Sequence, residues 1–427
     1  MGASLNGGGG NVTVNVDRTV AAGTHIENEP IIKSDGVGEV MQWLASTGGK
    51  NITIDESATN EMSLTVGSLD IGHGLGGDTN SVAVGTDALD SSLSGGIKNT
   101  AIGGNALTAL TIGDYNTAVG FDACAAVVDT QYNTAVGRDA LKGFTGSDAT
   151  VVGCGAAAAT SDSDNLTAVG RSALAVVTGS YNTAVGHDAG KTITSGADNT
   201  AVGSSALDGA TTGALRNTAI GKESLSAAAV NDNTAVGCNA LQVFTGSNAT
   251  AVGSGALDAC TTVTGQLTAI GKDALGVLNH ADSENNTAIG AYSMDGLTGG
   301  ASKGHSNAAV GAYSLSTSVD GMRNTALGKS ALHAADCADD NTAVGYNALY
   351  NFGGSGATVI GSGAADAAGS QTNLTAVGYA ALGAATSGNN NTAVGHNSLQ
   401  TVDGAQNTAV GQGALGADCV SYNVAVG

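Results

Sequence analysis

The chain has 427 residues, of which 67 are Gly, one is Pro and only 3% are aromatic. This is not an ordinary globular composition, and it is not collagen either, because collagen needs Gly at every third position. The net charge of −22 with only 14 Lys and Arg argues against nucleic acid or an anionic membrane as partner, since both favour a basic patch.

The beginning of the chain differs in composition from the rest. Residues 1–10 are Gly-rich and are expected to be flexible, with no basic or apolar region typical of a secretory signal. Residues 11–66 contain the only Pro, the only Trp and an alternating segment, 12–16, which predicts a strand. We therefore expect a small β-rich domain over 11–66, followed by a Gly-rich joint over 67–80. Two roles are open for this domain: capping the first repeat, or attachment to a larger particle.

From residue 81 onward one phrase recurs, for example Asn133-Thr134-Ala135-Val136-Gly137 followed by Ala140-Leu141. Its glycine marks 21 repeats spaced 16 to 21 residues apart, and such a period outranks other sequence signals. The motif glycines are residues 85, 103, 120, 137, 153, 170, 186, 203, 221, 237, 253, 271, 290, 311, 328, 345, 361, 378, 395, 411 and 427.

Each position of the repeat is restricted in type. An aliphatic residue precedes Gly in all 21 repeats; Ala precedes that residue in 19, with Val151 and Val359 as exceptions, and Thr precedes it in 18. Ala or Ser is the third residue after Gly in all 20 complete repeats, and Leu is the fourth in 15. A unit of about 17 residues holds only short strands and turns, so it predicts one rung of a parallel β-solenoid, with Gly at a corner.

Alternation along the strand assigns the side chains to two faces. Asn133 and Ala135 point one way, and Thr134 and Val136 point the other way. Neither face is suited to water, and a thin single-chain solenoid buries only one of them. We therefore expect several copies to pack around a common axis, with the small Ala column at the axis. The Asn column, present in 14 repeats, should form an amide ladder at ~4.8 Å spacing.

The string N-T-A-V-G-x-x-A-L resembles the N-S-x-A-I-G-x-x-A repeat of YadA-like heads in trimeric autotransporter adhesins. It is also similar to the NTAVG-repeat shafts of tail-fibre and other virion fibre proteins of tailed phages, and this similarity is closer in motif sequence and in rung length. The resemblance covers residues 81–427. It implies a left-handed parallel β-roll of 21 rungs that is shared by three copies of the chain.

A longer period of six rungs runs through the shaft. The Asn position is replaced in two successive rungs, and each replacement follows a rung that contains Phe. The replacing residues are Ala149 and Leu166, Ala249 and Leu267, and Ala357 and Leu374. Two explanations are open: duplication of a block of about a hundred residues, or a periodic lateral contact along the rod.

The two longest intervals between motif glycines end at Gly290 and Gly311. They predict protruding loops, whose charged and titratable residues are His280, Asp282, Glu284, Lys303 and His305.

The sequence contains few patterns typical of catalytic or metal-binding sites. The six Cys have no C-x-x-C spacing and the seven His have no H-x-H pair, so we interpret the Cys as apolar fillers or surface thiols. Acidic pairs precede several Asn positions, at 162 and 164, 282 and 284, and 339 and 340. They could hold Ca²⁺, but the nonapeptide of calcium β-rolls is absent and solvated turns are favoured. We expect no catalysis, no cofactor and no metal.

These observations favour a structural or adhesive fibre of a phage virion that presents a rigid homotrimeric rod for host attachment. Its partners would be two further copies, other virion proteins through the N-terminal domain, and a host surface receptor. It would be made in the host cytoplasm and would act outside the cell.

Twenty rung steps give a rod length on the order of 95 Å. Because residue 427 ends halfway through a rung, we also expect a further domain or a docking partner there.

Two alternatives are open. A bacterial trimeric surface adhesin or extracellular filament subunit has the same shaft, but it needs an export signal and a membrane anchor, neither of which the sequence shows. An ice-binding solenoid would use the Thr column as a regular array. Against it, Thr is single rather than paired as T-x-T, and it shares its face with Val, which is expected to be buried.

Overall fold

The computed structural model describes residues 71–72, 80–91, 96–209, 213–228, 230–261, 266–278, 283–296, 304–317, 321–333, 338–384, 387–401, 403–416 and 420–427. The chain divides into two units, Met1–Thr59 and Asn60–Gly427, and every described residue belongs to the second. The predicted flexible start and the β-rich domain over 11–66 lie outside the described residues.

The described part of the second unit contains 22 short strands and no helix. Strands β2 to β22 each coincide with one copy of the motif. The strands are β1 (Ile71–Gly72), β2 (Val82–Val84), β3 (Thr100–Ile102), β4 (Thr117–Val119), β5 (Thr134–Val136), β6 (Thr150–Val152), β7 (Thr167–Val169), β8 (Thr183–Val185), β9 (Thr200–Val202), β10 (Thr218–Ile220), β11 (Thr234–Val236), β12 (Ala249–Val252), β13 (Leu267–Ile270), β14 (Thr287–Ile289), β15 (Ala308–Val310), β16 (Thr325–Leu327), β17 (Thr342–Val344), β18 (Thr358–Ile360), β19 (Thr375–Val377), β20 (Thr392–Val394), β21 (Thr408–Val410) and β22 (Val424–Val426).

Each motif strand pairs in parallel with the strand of the next rung, and motif positions stack on themselves. In β10 and β11, for example, Thr218 pairs with Thr234 and Ile220 pairs with Val236. The predicted parallel β-solenoid is therefore confirmed, with 21 parallel strands in one sheet. The first of them, β2, is covered on its open edge by the antiparallel β1, in which Ile71 pairs with Val84. A strand from the predicted joint thus caps the sheet edge.

The motif glycines form a corner that only Gly can occupy. All 21 have φ between +126° and +148°, a region that L side chains avoid. They also stack directly on one another: a Cβ on Gly137 would lie 2.5 Å from the carbonyl oxygen of Gly153 in the next rung. Both the backbone conformation and the close approach between rungs explain why this position never varies.

The Ala column lies inside the coil of a single chain. Ala135 and its counterparts from 101 to 409 are buried together with the Leu column that contains Leu141, and only the last rung is partly open. The prediction that the Ala column lines an axis between chains is therefore wrong. The space is closed within one chain, because each rung folds its own Ala-Leu turn back over its strand.

Core volume is balanced within single rungs. Where Val replaces Ala on the strand, at Val151 and Val359, the Leu position of the same rung is reduced to Ala157 and Ala365. All four side chains are fully buried. Interiors are close-packed, so a gain of two methyl groups at one position requires a loss at another.

The Asn column forms a buried ladder that bonds mainly to backbone. The backbone N–H of Asn217 donates to Oδ1 of Asn199 at 3.0 Å, and Nδ2 of Asn199 donates to the carbonyl of Ala214 at 2.7 Å. Amide-to-amide bonds also occur, as from Asn217 Nδ2 to Asn199 Oδ1 at 3.1 Å. The ladder predicted from sequence is confirmed, and its main role is to satisfy buried backbone groups of the adjoining rung.

The six-rung period is a feature of the interior. Phe144, Phe244 and Phe352 are the largest fully buried side chains. The same position one rung later holds Thr160, Cys260 or Ala368, which are small, and all of the residues that replace Asn are buried too. Each Phe therefore interrupts the Asn ladder with an apolar plug, and these residues offer no surface for a periodic lateral contact.

The Leu column has a backbone constraint that excludes β-branched residues. Leu141 has φ +52°, and the other Leu at this position have φ between +49° and +56°. None of the 20 rungs carries Val, Ile or Thr here, although the site is apolar and buried. Left-handed backbone is disfavoured for bulky residues and most strongly for β-branched ones, so the column uses Leu, Ala, Cys, Met or Gly.

We expect Leu141→Ile to lower the free energy of unfolding by about 2 kcal/mol more than Leu110→Ile, because left-handed strain adds to the repacking cost. Leu110 is equally buried but is not among the residues with positive φ. Urea denaturation of the two full-length variants measures the difference. Equal losses would show that the left-handed backbone does not select the residue type.

Candidate functional site: the outward strand face

The outward face of the sheet carries two regular columns, Thr and an aliphatic residue. Thr134 is half-buried and Val136 is 37% exposed, whereas Ala135 between them has no exposure. The aliphatic column continues without interruption from Val84 to Val426, as Val, Ile or Leu in every rung. Sequence reasoning assigned the two faces correctly but expected both to be buried. In the single chain the Thr and Val face is open.

Two further columns border this face. The glycine-side column consists of the residue that follows each motif glycine, and no member of it is buried. The asparagine-side column consists of the residue that precedes each Asn position, and every member of it is exposed. Examples from one rung are Arg138 and Tyr132, which stand at opposite ends of β5. Sequence reasoning missed both columns, because they vary in residue type and are visible only once the rungs are aligned in space.

Charged residues outside the core form ion pairs between rungs. Lys142 lies 2.7 Å from Asp122 and holds the pKa of that carboxyl below its usual value. Arg216 binds Asp232 through Nε at 2.7 Å and lowers its pKa. Arg323 pairs in the same way with Asp340 at 2.6 Å. Acidic residues that look isolated in the sequence are therefore partnered by the stacking.

Aromatic side chains also stack along the rod. The rings of Tyr292 and Tyr313 are 5.1 Å apart and nearly parallel, and those of His333 and Tyr350 are 4.9 Å apart. Lys272 Nζ lies 4.6 Å from the ring centroid of Tyr292. Rings of successive rungs therefore contact one another and reinforce the stacking, although Tyr313 stays 40% exposed.

The predicted loop residues fall in two groups. His280, Asp282 and Lys303 lie outside the described residues. Glu284 and His305 are half-buried and stand at the same position of adjacent rungs, just before the Asn column. There the backbone N–H of Ser306 donates to the carbonyl of Glu284 at 2.9 Å. These two residues belong to the stacked corner of the rung.

The acidic turns considered for Ca²⁺ form hydrogen bonds across rungs. Asp162 Oδ1 accepts from Thr145 Oγ1 at 3.0 Å, and Asp164 Oδ1 accepts from the backbone N–H of Ser147 at 2.8 Å. Asp339 Oδ1 accepts from the backbone N–H of Met322. Across the described residues, no group of three His, Cys, Asp or Glu has the arrangement of a metal site.

A second acidic group lies on successive rungs in the middle of the shaft. Burial raises the pKa of Asp258 and of Asp295, and the negative charge of Asp273 raises both further. Lys272 pairs with Asp273 at 2.5 Å. The raised pKa values of Asp258 and Asp295 follow from mutual repulsion and desolvation.

The comparisons with known proteins give no relative. The chain matches no protein-family model, no curated protein and no solved structure. Nor do the described residues contain a helix long and apolar enough to cross a membrane.

The described cysteines lie in contrasting surroundings. Cys124 and Cys260 are buried, Cys154 is half-buried and Cys238 is exposed. Burial raises the pKa of the Cys124 thiol to about 12. Cys337 and Cys419 lie outside the described residues.

We expect Cys238 to be alkylated by iodoacetamide at pH 8 in the folded protein while Cys124 stays unmodified. With its pKa raised to about 12, the Cys124 thiolate is on the order of 10⁻⁴ of the total at pH 8. Peptide mass spectrometry identifies the modified residues, and unfolding in guanidinium should make both react. Rapid labelling of Cys124 in the native protein would contradict its burial.

Proposed function

We propose that the chain is a non-catalytic fibre subunit of a tailed-phage virion, whose solenoid forms a rigid homotrimeric shaft used in attachment to the host surface. The observation that carries this proposal is the uninterrupted aliphatic column on the outward face. Monomeric proteins rarely expose a large contiguous apolar surface, and such surfaces mark interfaces. A column of 21 aliphatic residues, on the order of 95 Å long at the strand spacing, fits a partner of equal length and period.

Another copy of the same chain supplies that partner. It has the same rung spacing, so each aliphatic side chain meets a counterpart at every level along the rod. The Ala column is already enclosed within each chain, so the trimer would close around the Thr and Val face instead. The number three comes from the resemblance of the motif to trimeric fibre shafts.

The wider role follows from the same resemblance and from the charge. The net charge of −22 disfavours nucleic acid as a partner. Residues 11–66 would attach the shaft to other virion proteins, and the distal part would reach a host receptor. No catalytic step and no cofactor is part of the proposal.

A second candidate function uses the same face. Because Val136 is exposed and not buried in the single chain, Thr and Val together form a flat, regular array that could order water, as an ice-binding surface does. This candidate needs the face to be free in solution. Thermal hysteresis from a monomeric chain would favour it over the fibre, and a trimer without hysteresis would exclude it.

We expect the full chain to scatter light as a trimer, with three times the mass of 41.0 kDa, at micromolar concentration. Val136→Asp should raise the concentration for dissociation about tenfold or more, because the interface would bury an unpaired carboxylate. Ile112→Asp is the matched control, since Ile112 is 52% exposed and lies outside the strands.

The variants separate folding from assembly. In an isolated chain Val136 is already 37% exposed, so Asp at this position should leave the circular dichroism of the solenoid unchanged. A wild-type mass of 41.0 kDa, or equal behaviour of the two Asp variants, would refute assembly through this face.

A further inference from the structure

We propose that basic residues of the glycine-side column reach the asparagine-side residue one rung further along in the neighbouring copy, and that this pairing fixes a parallel assembly. The inference rests on the proposed homotrimer and adds the residues that set its direction and register. It commits to a second copy of this chain as the occupant of the surface.

The glycine-side column is cationic and contains no acidic residue. The basic and titratable members among its 20 residues are Arg138, Arg171, His187, Lys222, Lys272, Lys329 and His396. Five of the 14 Lys and Arg of the chain thus occupy 20 of its 427 positions. Their side chains point outward: those of Arg138 and Lys222 are 66% and 64% exposed.

The asparagine-side column carries both signs, with one more acidic than basic residue. Asp232 and Asp340 each bind an Arg of the preceding rung in the same chain, and each has a second carboxylate lone-pair side left for a further donor. The acidic members of the column are Asp148, Asp198, Asp232 and Asp340, and its basic members are Lys98, Arg216 and Arg323. The remaining members are uncharged, and Tyr is frequent among them.

The two columns are complementary when they are offset by one rung. Each acidic residue of the asparagine-side column then meets a basic residue that stands one rung earlier in the glycine-side column of the next copy. The pairs are Arg138 with Asp148, His187 with Asp198, Lys222 with Asp232, and Lys329 with Asp340. The three basic residues of the asparagine-side column meet Thr86, Ser204 and Ala312, which are neutral.

Other offsets between the two columns give fewer pairs of opposite charge. With no offset, Arg216 faces Lys222 and Arg323 faces Lys329, and no acidic residue faces a basic one. With the offset reversed, only Arg171 with Asp148 and Lys222 with Asp198 are complementary. One rung is ~4.8 Å, which Lys and Arg side chains span easily.

Symmetry then links this complementarity to direction. A rotation axis parallel to the rod keeps the copies level and places the glycine side of one copy against the asparagine side of the next, for two, three or more copies. The one-rung offset is therefore spanned by the side chains and is not a shift of one copy along the rod. A two-fold axis perpendicular to the rod, which makes the copies antiparallel, places like columns together. The cationic glycine-side columns would then repel each other, so charge favours the parallel arrangement.

The pairing cannot form within one chain. Six residues of extended chain separate the two columns, which is roughly 20 Å. Arg138 and Lys222 also bind acidic neighbours in their own chain, Asp139 at 2.6 Å and Glu223 at 2.9 Å. Guanidinium and ammonium groups have several donors, and the exposed side of each remains available to another copy.

Zero-length carbodiimide cross-linking of the full chain, read by peptide mass spectrometry, tests the register. We expect links from Lys222 to Asp232 and from Lys329 to Asp340, which only neighbouring copies can form. The Lys142 to Asp122 link within one chain, at 2.7 Å, is the positive control. Lys272 should give no link to the asparagine-side column, because it would face Asn285. A link between Lys222 and Asp198 would overturn the proposed offset.

Charge exchange tests whether the pairing stabilises the assembly. Arg138→Glu and Asp148→Lys should each raise the dissociation constant of the trimer about tenfold, and the double variant should return it to within about threefold of wild type. Arg171→Glu is the matched control: it makes the same charge change in the same column but faces Tyr181, and it should change the constant less than threefold.

The outcomes distinguish the two proposals. A monomeric wild-type chain would refute the trimer and with it the pairing. A trimer that lacks both cross-links, and in which Arg138→Glu and Arg171→Glu behave alike, would refute the pairing and leave the trimer intact.

Discussion

The contact between successive motif glycines is the constraint on which the rest of the solenoid depends. Where Gly137 meets Gly153, no side chain fits between the two backbones, and the backbone conformation itself excludes other residues. Each rung must therefore repeat the path of the one before it. Once the corners stack, the strand, the Ala-Leu turn and the Asn position stack as well, and side chains interact mainly with their counterparts one rung away.

Because the rungs stack, every rung must fill the same interior volume and must satisfy the same buried polar groups. Volume is conserved within a rung, as in the exchange that produces Val151 and Ala157. Polarity is satisfied by the Asn ladder, whose amides bond to backbone groups of the adjoining rung. At Phe144 and its two equivalents the ladder is replaced by an apolar plug. The interior therefore fills this position in two ways, with a hydrogen-bonding Asn or with an apolar residue, and the apolar replacement recurs every six rungs.

The outer surface follows from the same repetition. A single exposed aliphatic side chain is ordinary on a protein surface. When the same type recurs at each rung, the side chains form a continuous apolar stripe, as in the aliphatic column. The bordering columns vary from rung to rung, so they can carry information on register that the uniform Thr and Val columns cannot. A uniform apolar stripe favours association in any register, whereas charges placed at particular rungs favour one. In the proposed assembly the aliphatic column thus supplies affinity, and the charged bordering columns supply specificity.

The sequence by itself determined the class of fold, because a 17-residue period with invariant Gly leaves few structures other than a stacked coil. It also determined the register and the two faces of the strand, since the side-chain period of two is a local property. The tertiary structure decided which face is enclosed: the Ala-Leu turn of each rung covers Ala135 and leaves Val136 open. The direction of that turn depends on the left-handed backbone at residues such as Leu141. A Gly in a sequence suggests this conformation, but a Leu does not. The acidic turns and the bordering columns were likewise beyond the sequence, because their partners are residues 16 to 18 positions away that become neighbours only through stacking.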